Sequence, residues 1–125
     1  MKYQYPTAVD YRTRSGLNKS QVQYLDRARA RSYTFHTDGG HAWVEVSRFV
    51  LDCLDLTDKV STYSYESRDG LTVYLEEDCD CSLYFQALGF DPGKGNHPKI
   101  GPDKYEDNSF IRSLPSFHGT TPRGL

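Results

Sequence analysis

Residues 32–46 read Ser-Tyr-Thr-Phe-His-Thr-Asp-Gly-Gly-His-Ala-Trp-Val-Glu-Val, and this stretch decides the fold. The runs 32–36 and 41–46 are rich in β-branched and aromatic residues and flank a turn-forming Thr-Asp-Gly-Gly. This pattern is typical of a β-hairpin, because Asp and Gly favour the backbone conformations of a tight turn. The sequence therefore predicts two antiparallel strands, with His36 and His41 close together across the turn.

A second hairpin follows along the chain. The β-prone run 60–66 and the alternating run 71–76 flank a Ser-Arg-Asp-Gly turn sequence. Leu71, Val73 and Leu75 alternate with polar or aromatic residues, so a strand here turns the three aliphatic side chains to one face. The pattern predicts that this face is buried and that the opposite face carries the polar groups.

Short helices are predicted around the hairpins. Ser20 and Gln23 form a capping box, which predicts a helix over 21–30. Shorter helices are predicted over 47–54 and 82–88. The resulting order, β-β-α-β-β-α, predicts an α+β fold. In this fold, short helices pack on one face of a small antiparallel sheet made of two β-hairpins.

Composition limits the class of protein. The 125 residues include 15 Lys or Arg and 17 Asp or Glu, for a formal net charge of −2. This length supports a single domain, and we predict one over 1–125. No apolar run approaches the roughly 20 residues of a membrane-spanning helix, so we expect no membrane association. The near-neutral charge excludes a strongly basic nucleic-acid binder.

Charge and apolar residues are unevenly distributed. Residues 1–31 carry seven basic and two acidic side chains, whereas residues 32–90 hold 16 of the 26 Leu, Ile, Val and Phe residues. We therefore predict a basic N-terminal segment with a helix, a core over 32–90 and a largely irregular segment over 91–125. The chain has three cysteines and no secretory signal pattern, so we expect free thiols in a reducing compartment.

Two polar clusters are candidates for chemistry. The first is the turn with His36, Asp38 and His41, and the second is the acidic run around Cys79 at the start of the last helix. A thiol at a helix start with an imidazole as base is the arrangement of a cysteine hydrolase, so His36, His41 and Cys79 are candidate catalytic residues. The alternative is structural, because Asp shapes turns and acidic residues favour a helix N-terminus.

Neither cluster has the ligand spacing of a well-defined metal site. A zinc ion would draw on thiols and imidazoles, namely Cys53, Cys79, Cys81, His36 and His41. The paired Cys-x-x-Cys spacing typical of zinc sites is missing from this set. A magnesium ion would draw on the carboxylates of Asp38, Glu77 and Asp78. We assign no metal and no cofactor.

The aromatic residues favour a different function, that of a non-catalytic binding module. Trp43, Tyr63 and Tyr65 would supply aromatic contacts, with Tyr63 and Tyr65 on one face of a predicted strand. Polar contacts would come from three further candidate binding residues: Asp38, Glu77 and Asp78. The alternative for the three aromatic residues is packing in the core.

Three arginines, Arg27, Arg29 and Arg31, lie around the end of the first predicted helix. Basic residues at this position complement the helix dipole and keep a surface hydrated. Contact with nucleic acid through these arginines is the weaker alternative. It predicts binding that depends strongly on salt concentration.

Three separated segments match one family pattern in the same order. They are His36-x-Asp38-x-Gly40-His41-x-Trp43-x-Glu45-Val46, then Tyr63-Ser64-Tyr65, then Tyr-Leu-Glu-Glu-Asp-Cys-Asp at 74–80. Over residues 33–81 the chain resembles a family of small uncharacterised proteins from bacteriophages and plasmids. The resemblance implies an accessory protein of a mobile element that acts in a bacterial cytoplasm, with a host protein such as a defence component as its partner. It implies no established reaction.

Overall fold

The chain has an α+β fold, which a computed structural model describes for residues 8–119. Its helices are α1 Lys19–Ala30, α2 Arg48–Cys53 and α3 Cys81–Ala87. Its strands are β1 Ser32–Tyr33, β2 Phe35–Thr37, β3 Ala42–Ser47, β4 Tyr65–Glu66, β5 Thr72–Glu76, β6 Lys99–Ile100 and β7 Lys104–Tyr105. None of the helices in this range has the length and apolar content needed to cross a bilayer.

The main sheet is built from the two predicted hairpins. Its five strands lie in the order β4-β5-β3-β2-β7. Strands β2 and β3 form the first hairpin, β4 and β5 form the second, and antiparallel pairing of β3 with β5 joins them. In this register Trp43 lies opposite His36 on one side and opposite Glu76 on the other. The hairpin predictions are confirmed, although β1 leaves the hairpin and pairs with β6.

The helices cover one face of this sheet. The main hydrophobic core contains Val44 and Val46 of β3, Val73 and Leu75 of β5, and residues from all three helices. Leu71, which the alternation placed with Val73 and Leu75, instead precedes β5 and is 56% exposed. The opposite face carries a smaller cluster formed by Trp43, Tyr74 and Ile111.

Two local predictions are wrong at the level of single residues. The capping box of α1 is formed by Asn18 and Gln21, two residues earlier than predicted, because the Asn18 carboxamide accepts from the Gln21 backbone N–H. The predicted strand 60–66 shortens to β4, and Tyr63 lies in a turn that precedes it. Tyr63 and Tyr65 therefore do not share a strand face.

The segment predicted as largely irregular is part of the fold. Its strand β7 extends the main sheet by pairing in parallel with β2, so the sheet is mixed rather than purely antiparallel. Each C-terminal strand has only two residues, which is too short for an alternating pattern to mark it in the sequence. Ile111 and Phe117 of this segment are 0% and 1% exposed, so the core extends beyond residues 32–90. Residues 1–7 and 120–125 of the two predicted flanking segments lie outside the described residues.

Removing the Ile111 side chain tests whether the C-terminal segment is part of the core. Ile111→Ala leaves a cavity beside Trp43 and Tyr74, so we expect a loss of about 3 kcal/mol in the free energy of unfolding, measured by urea denaturation. The matched control is Ile100→Ala, the same change at a side chain that is 44% exposed, with an expected loss below about 1 kcal/mol. Equal losses in the two variants would contradict this packing.

Candidate functional site

A surface pocket of about 290 Å³ lies where β3, β5 and two loops meet. Six of the nine predicted site residues line it: His41, Trp43, Tyr63, Tyr65, Asp78 and Cys79. Thr62, Glu76 and Arg112 complete the lining. The β3–β5 register explains the convergence, because residues directly opposite each other in an antiparallel pair project to the same face. Trp43 and Glu76 are such a pair, so the turn and the acidic run meet at one end of the sheet.

The loop that carries Thr62 and Tyr63 is held by a buried carboxylate. Asp80 is 3% exposed and accepts from the backbone N–H of Ser61 at 3.0 Å and from the hydroxyls of Ser61 and Ser64. Asp80 immediately precedes α3, but its side chain makes no capping hydrogen bond. A buried charge is stable only when several donors satisfy it. The donors to Asp80 belong to Ser61 and Ser64, so the carboxylate holds in place the loop that forms this wall of the pocket.

Glu76 lies at the centre of the site. Its side chain is 8% exposed, and Oε2 accepts from the backbone N–H groups of Asp78 and Cys79, each at 2.9 Å. Its Oε1 is 3.9 Å from Nδ1 of the half-exposed His41. The carboxylate therefore contacts both the His41 imidazole and the backbone N–H of Cys79, the two residues that the hydrolase hypothesis requires to interact.

The Cys79 thiol is poorly suited to act as a nucleophile in this arrangement. Burial, a hydrogen bond to the Glu76 side chain and the surrounding carboxylates raise the pKa of Cys79 to about 11. A thiolate is the reactive form of cysteine, so at neutral pH this group remains almost wholly protonated. Catalytic cysteines have the opposite environment, with a positive neighbour that lowers the thiol pKa. All three cysteines are free thiols, as predicted.

Arg112 lines the pocket and is ion-paired with Asp38, which lies outside the lining. Asp38 accepts from the backbone N–H groups of Gly40 and His41, which confirms its predicted role in shaping the turn. Its two oxygens also bind the Arg112 guanidinium, which holds the pKa of the Asp38 carboxyl well below its usual range. The same guanidinium lies 5.2 Å from the centre of the Trp43 ring. Arg112 thus connects the C-terminal segment to the turn.

His36 does not join the pocket. It is 4% exposed, and its Nε2 lies 3.1 Å from Oε1 of Glu45. Its ring packs edge-on against Tyr74 and Phe110, each with centroids 5.6 Å away. The prediction that His36 and His41 act together is wrong, because their partners are different carboxylates, Glu45 and Glu76. His36 supports the packing of the sheet face.

The structure does not bring together either of the predicted sets of metal ligands. In residues 8–119, the groups that could hold a metal ion consist of Glu76, Glu77 and Asp78, whose ligand atoms lie within 4.8 Å of one another. Asp38 is ion-paired with Arg112 and is not part of this group. The described residues gather no set of three ligands that includes a thiol or an imidazole, so the zinc set is dispersed.

The three arginines of α1 pack individually on aromatic rings. Arg27, Arg29 and Arg31 lie 5.6, 5.1 and 4.5 Å from the ring centres of Tyr24, Phe90 and Tyr33, respectively. Two of them also donate to backbone carbonyls, Arg29 to Leu88 and Arg31 to Ser32. This packing accounts for the arginines without a nucleic-acid partner, because a guanidinium stacks readily on an aromatic ring.

The prediction omitted two central residues of the site. Glu76 follows Leu75 in the alternating run, so the alternation itself predicts that its side chain lies on the face opposite to Val73 and Leu75. No local pattern marked Arg112, which reaches the pocket from a short helical turn at Phe110–Ser113. Its role depends on a contact with Asp38, 74 positions away in the chain.

Comparisons with protein-family models, with curated proteins and with solved structures find no match to this chain.

Removal of the Glu76 charge tests the electrostatic account of Cys79. Glu76→Gln removes a negative neighbour that favours the protonated thiol, so the pKa of Cys79 falls from about 11 toward its ordinary value. We expect alkylation of Cys79 by iodoacetamide at pH 8 to become severalfold faster, as followed by peptide mass spectrometry. The control Glu77→Gln alters a carboxylate that has no such effect on Cys79 and leaves the rate unchanged. A slower reaction in Glu76→Gln would contradict the assignment.

Proposed function

We propose that this protein is a small binding module that recognises a protein partner by taking one of its side chains into the pocket. The observation that carries the proposal is the lining of the pocket, in which Trp43, Tyr63 and Tyr65 converge from two separate segments. Trp and Tyr are among the residues that contribute most to binding energy at protein interfaces, particularly when they surround a pocket. Their convergence at one opening is unlike ordinary core packing.

The exposure of the aromatic residues supports the same function. Trp43 is 2% exposed and forms a rigid floor, whereas Tyr63 is 70% exposed at the rim. The Trp43 and Tyr65 rings meet edge to face, with centroids 6.0 Å apart. An aromatic rim above a buried aromatic floor provides apolar contact area at little cost in side-chain entropy. Tyr63 gains this burial only when a partner covers it.

The hydrolase hypothesis has weaker support. It places His36, His41 and Cys79 in one mechanism, but His36 lies outside the pocket and Cys79 has a raised pKa. The direct neighbour of His41 is the carboxylate of Glu76 at 3.9 Å, which leaves no imidazole–thiol pair of the kind that activates a nucleophile. The same groups suffice for binding without any bond being broken.

The nature of the partner follows from the sequence resemblance. The resemblance to small bacteriophage and plasmid proteins supports a mobile-element accessory protein that acts in the bacterial cytoplasm. Its partner is then a host protein, for which a defence component is the leading candidate. All three segments that carry the resemblance contribute residues to the pocket, so the matched pattern and the proposed binding site coincide.

Selection from a random peptide library displayed on a surface tests this proposal. We expect the protein to enrich peptides whose binding changes the fluorescence of Trp43, the single tryptophan in the chain. Tyr63→Ala should weaken their binding at least tenfold, because the side chain forms the rim of the pocket. The matched control is Tyr105→Ala, which removes a similarly exposed tyrosine outside the pocket and leaves binding unchanged. Failure to enrich any peptide that depends on Tyr63 would overturn the proposal.

A further inference from the structure

We infer that the group received by this pocket is a cation, the basic side chain of an arginine or lysine in the partner. This inference rests on the proposed function and names the class of its ligand. Three features carry it: the aromatic walls, the balance of charge around the cavity and a buried carboxylate without a basic counterion.

The aromatic walls provide the surface that cations prefer. The face of an indole or phenol ring is electronegative, and it attracts a guanidinium or ammonium group within about 6 Å of the ring centre. Trp43 already shows this behaviour, because the Arg112 guanidinium lies 5.2 Å from its ring centre. Tyr65 meets Trp43 edge to face, and Tyr63 stands at the opening. A basic side chain entering the pocket would therefore meet aromatic rings that already accommodate a cation.

The charge around the cavity is negative. Glu76 and Asp78 line the pocket, and Glu77 adjoins both within the acidic cluster. Two basic residues belong to the lining: Arg112 is ion-paired through two nitrogens with Asp38, and His41 lies 3.9 Å from Glu76. The negative charges also act on Glu77: burial and the charges of Asp78 and Glu76 raise the pKa of this carboxyl. These carboxylates would repel an anionic ligand, and Arg112 is already paired with Asp38.

Glu76 is the buried carboxylate of the pocket, and it has no arginine or lysine partner among the described residues. Of the other acidic side chains that are less than 15% exposed, Asp38 pairs with Arg112 and Glu66 pairs with Arg48 at 2.7 Å. The buried Asp80 has no arginine partner, but it accepts from one backbone N–H and two serine hydroxyls. For Glu76, no Lys or Arg nitrogen of residues 8–119 lies within 4.0 Å, and its nearest basic neighbour is His41 at 3.9 Å. A buried carboxylate is expensive without a positive partner, so a ligand cation in the pocket would complete this pair.

An organic cation fits the cavity better than a metal ion does. Hard divalent ions require six or more oxygen ligands in the first coordination sphere. Glu76 and Asp78 are the carboxylates among the nine lining residues, three of which are Trp or Tyr, and two backbone N–H groups already occupy Oε2 of Glu76. Aromatic rings with a carboxylate at one end match a guanidinium or alkylammonium group.

Titration with small probes tests the inference. Nα-acetyl-arginine amide should change Trp43 fluorescence saturably at fixed ionic strength, with a Kd of about 1 mM, an affinity suited to a single side chain. The citrulline analogue has nearly the same shape without the charge and should bind at least tenfold more weakly. Citrulline binding as tight as arginine binding would overturn the inference, as would preferential binding of Nα-acetyl-glutamate amide. A fluorescence response to Mg²⁺ with none to arginine would overturn it in favour of a metal site.

Variants that change the charge of the pocket distinguish a cation site from an anion site by whether binding becomes tighter or weaker. Arg112→Gln removes a like charge from the cavity, so the arginine probe should bind about threefold more tightly. Asp78→Asn, at an exposed position, should weaken binding about threefold, and Glu76→Gln should weaken it at least tenfold while thermal denaturation confirms a folded protein. Weaker binding in Arg112→Gln together with unchanged binding in Asp78→Asn would indicate an anion pocket.

The peptide selection separates this inference from the proposed function. Enriched peptides that depend on Tyr63 and lose binding when their Arg or Lys is replaced support both. Enriched peptides that depend on Tyr63 but contain acidic or apolar residues in place of Arg or Lys would overturn the cation while the binding module stands. Binding of the small arginine probe without enrichment of any peptide would overturn the protein partner and leave the ligand class intact.

Discussion

The antiparallel pairing of β3 with β5 is the constraint on which the rest of the structure depends. Its register places Trp43 opposite Glu76 and Val46 opposite Val73. A slip of one residue would turn every side chain of one strand to the opposite face, moving Trp43 into the helical layer and Val44 toward the pocket. Burial prevents such a slip, because Val44, Val73 and Leu75 are 0% exposed against the helices. The same aliphatic residues that form the core therefore align the groups of the pocket.

The two faces of this sheet are completed by different parts of the chain. The helices bring aliphatic and aromatic side chains to one face, where the main core forms. The second face depends on the C-terminal segment, which contributes Ile111 to the cluster with Trp43 and Arg112 to the pocket. An aliphatic-poor chain thus buries both faces of β3 by drawing on residues far apart in sequence. The pocket opens at the end of this second layer, with the buried Trp43 ring as its floor.

Buried acidic groups are stabilised in three different ways. Asp38 and Glu66 have arginine partners, and Asp80 accepts hydrogen bonds from one backbone amide and two serine hydroxyls. Glu76 has two backbone amides, and His41 is its basic neighbour at 3.9 Å. The first two arrangements are complete within the protein and serve its structure. The third leaves the carboxylate at the pocket wall, where a ligand can contribute the missing positive charge.

The sequence alone indicates the α+β class and both hairpins. It also singles out the turn and the acidic run, two segments that contribute residues to the pocket. Alternating hydrophobicity and turn residues are local signals, and local backbone preferences suffice to express them. The tertiary structure alone brings particular candidates together: Glu76 contacts both His41 and the backbone of Cys79, His36 contacts Glu45, and Arg112 reaches Asp38 across 74 positions. Such contacts depend on strand register and on burial far along the chain, and no local pattern encodes either.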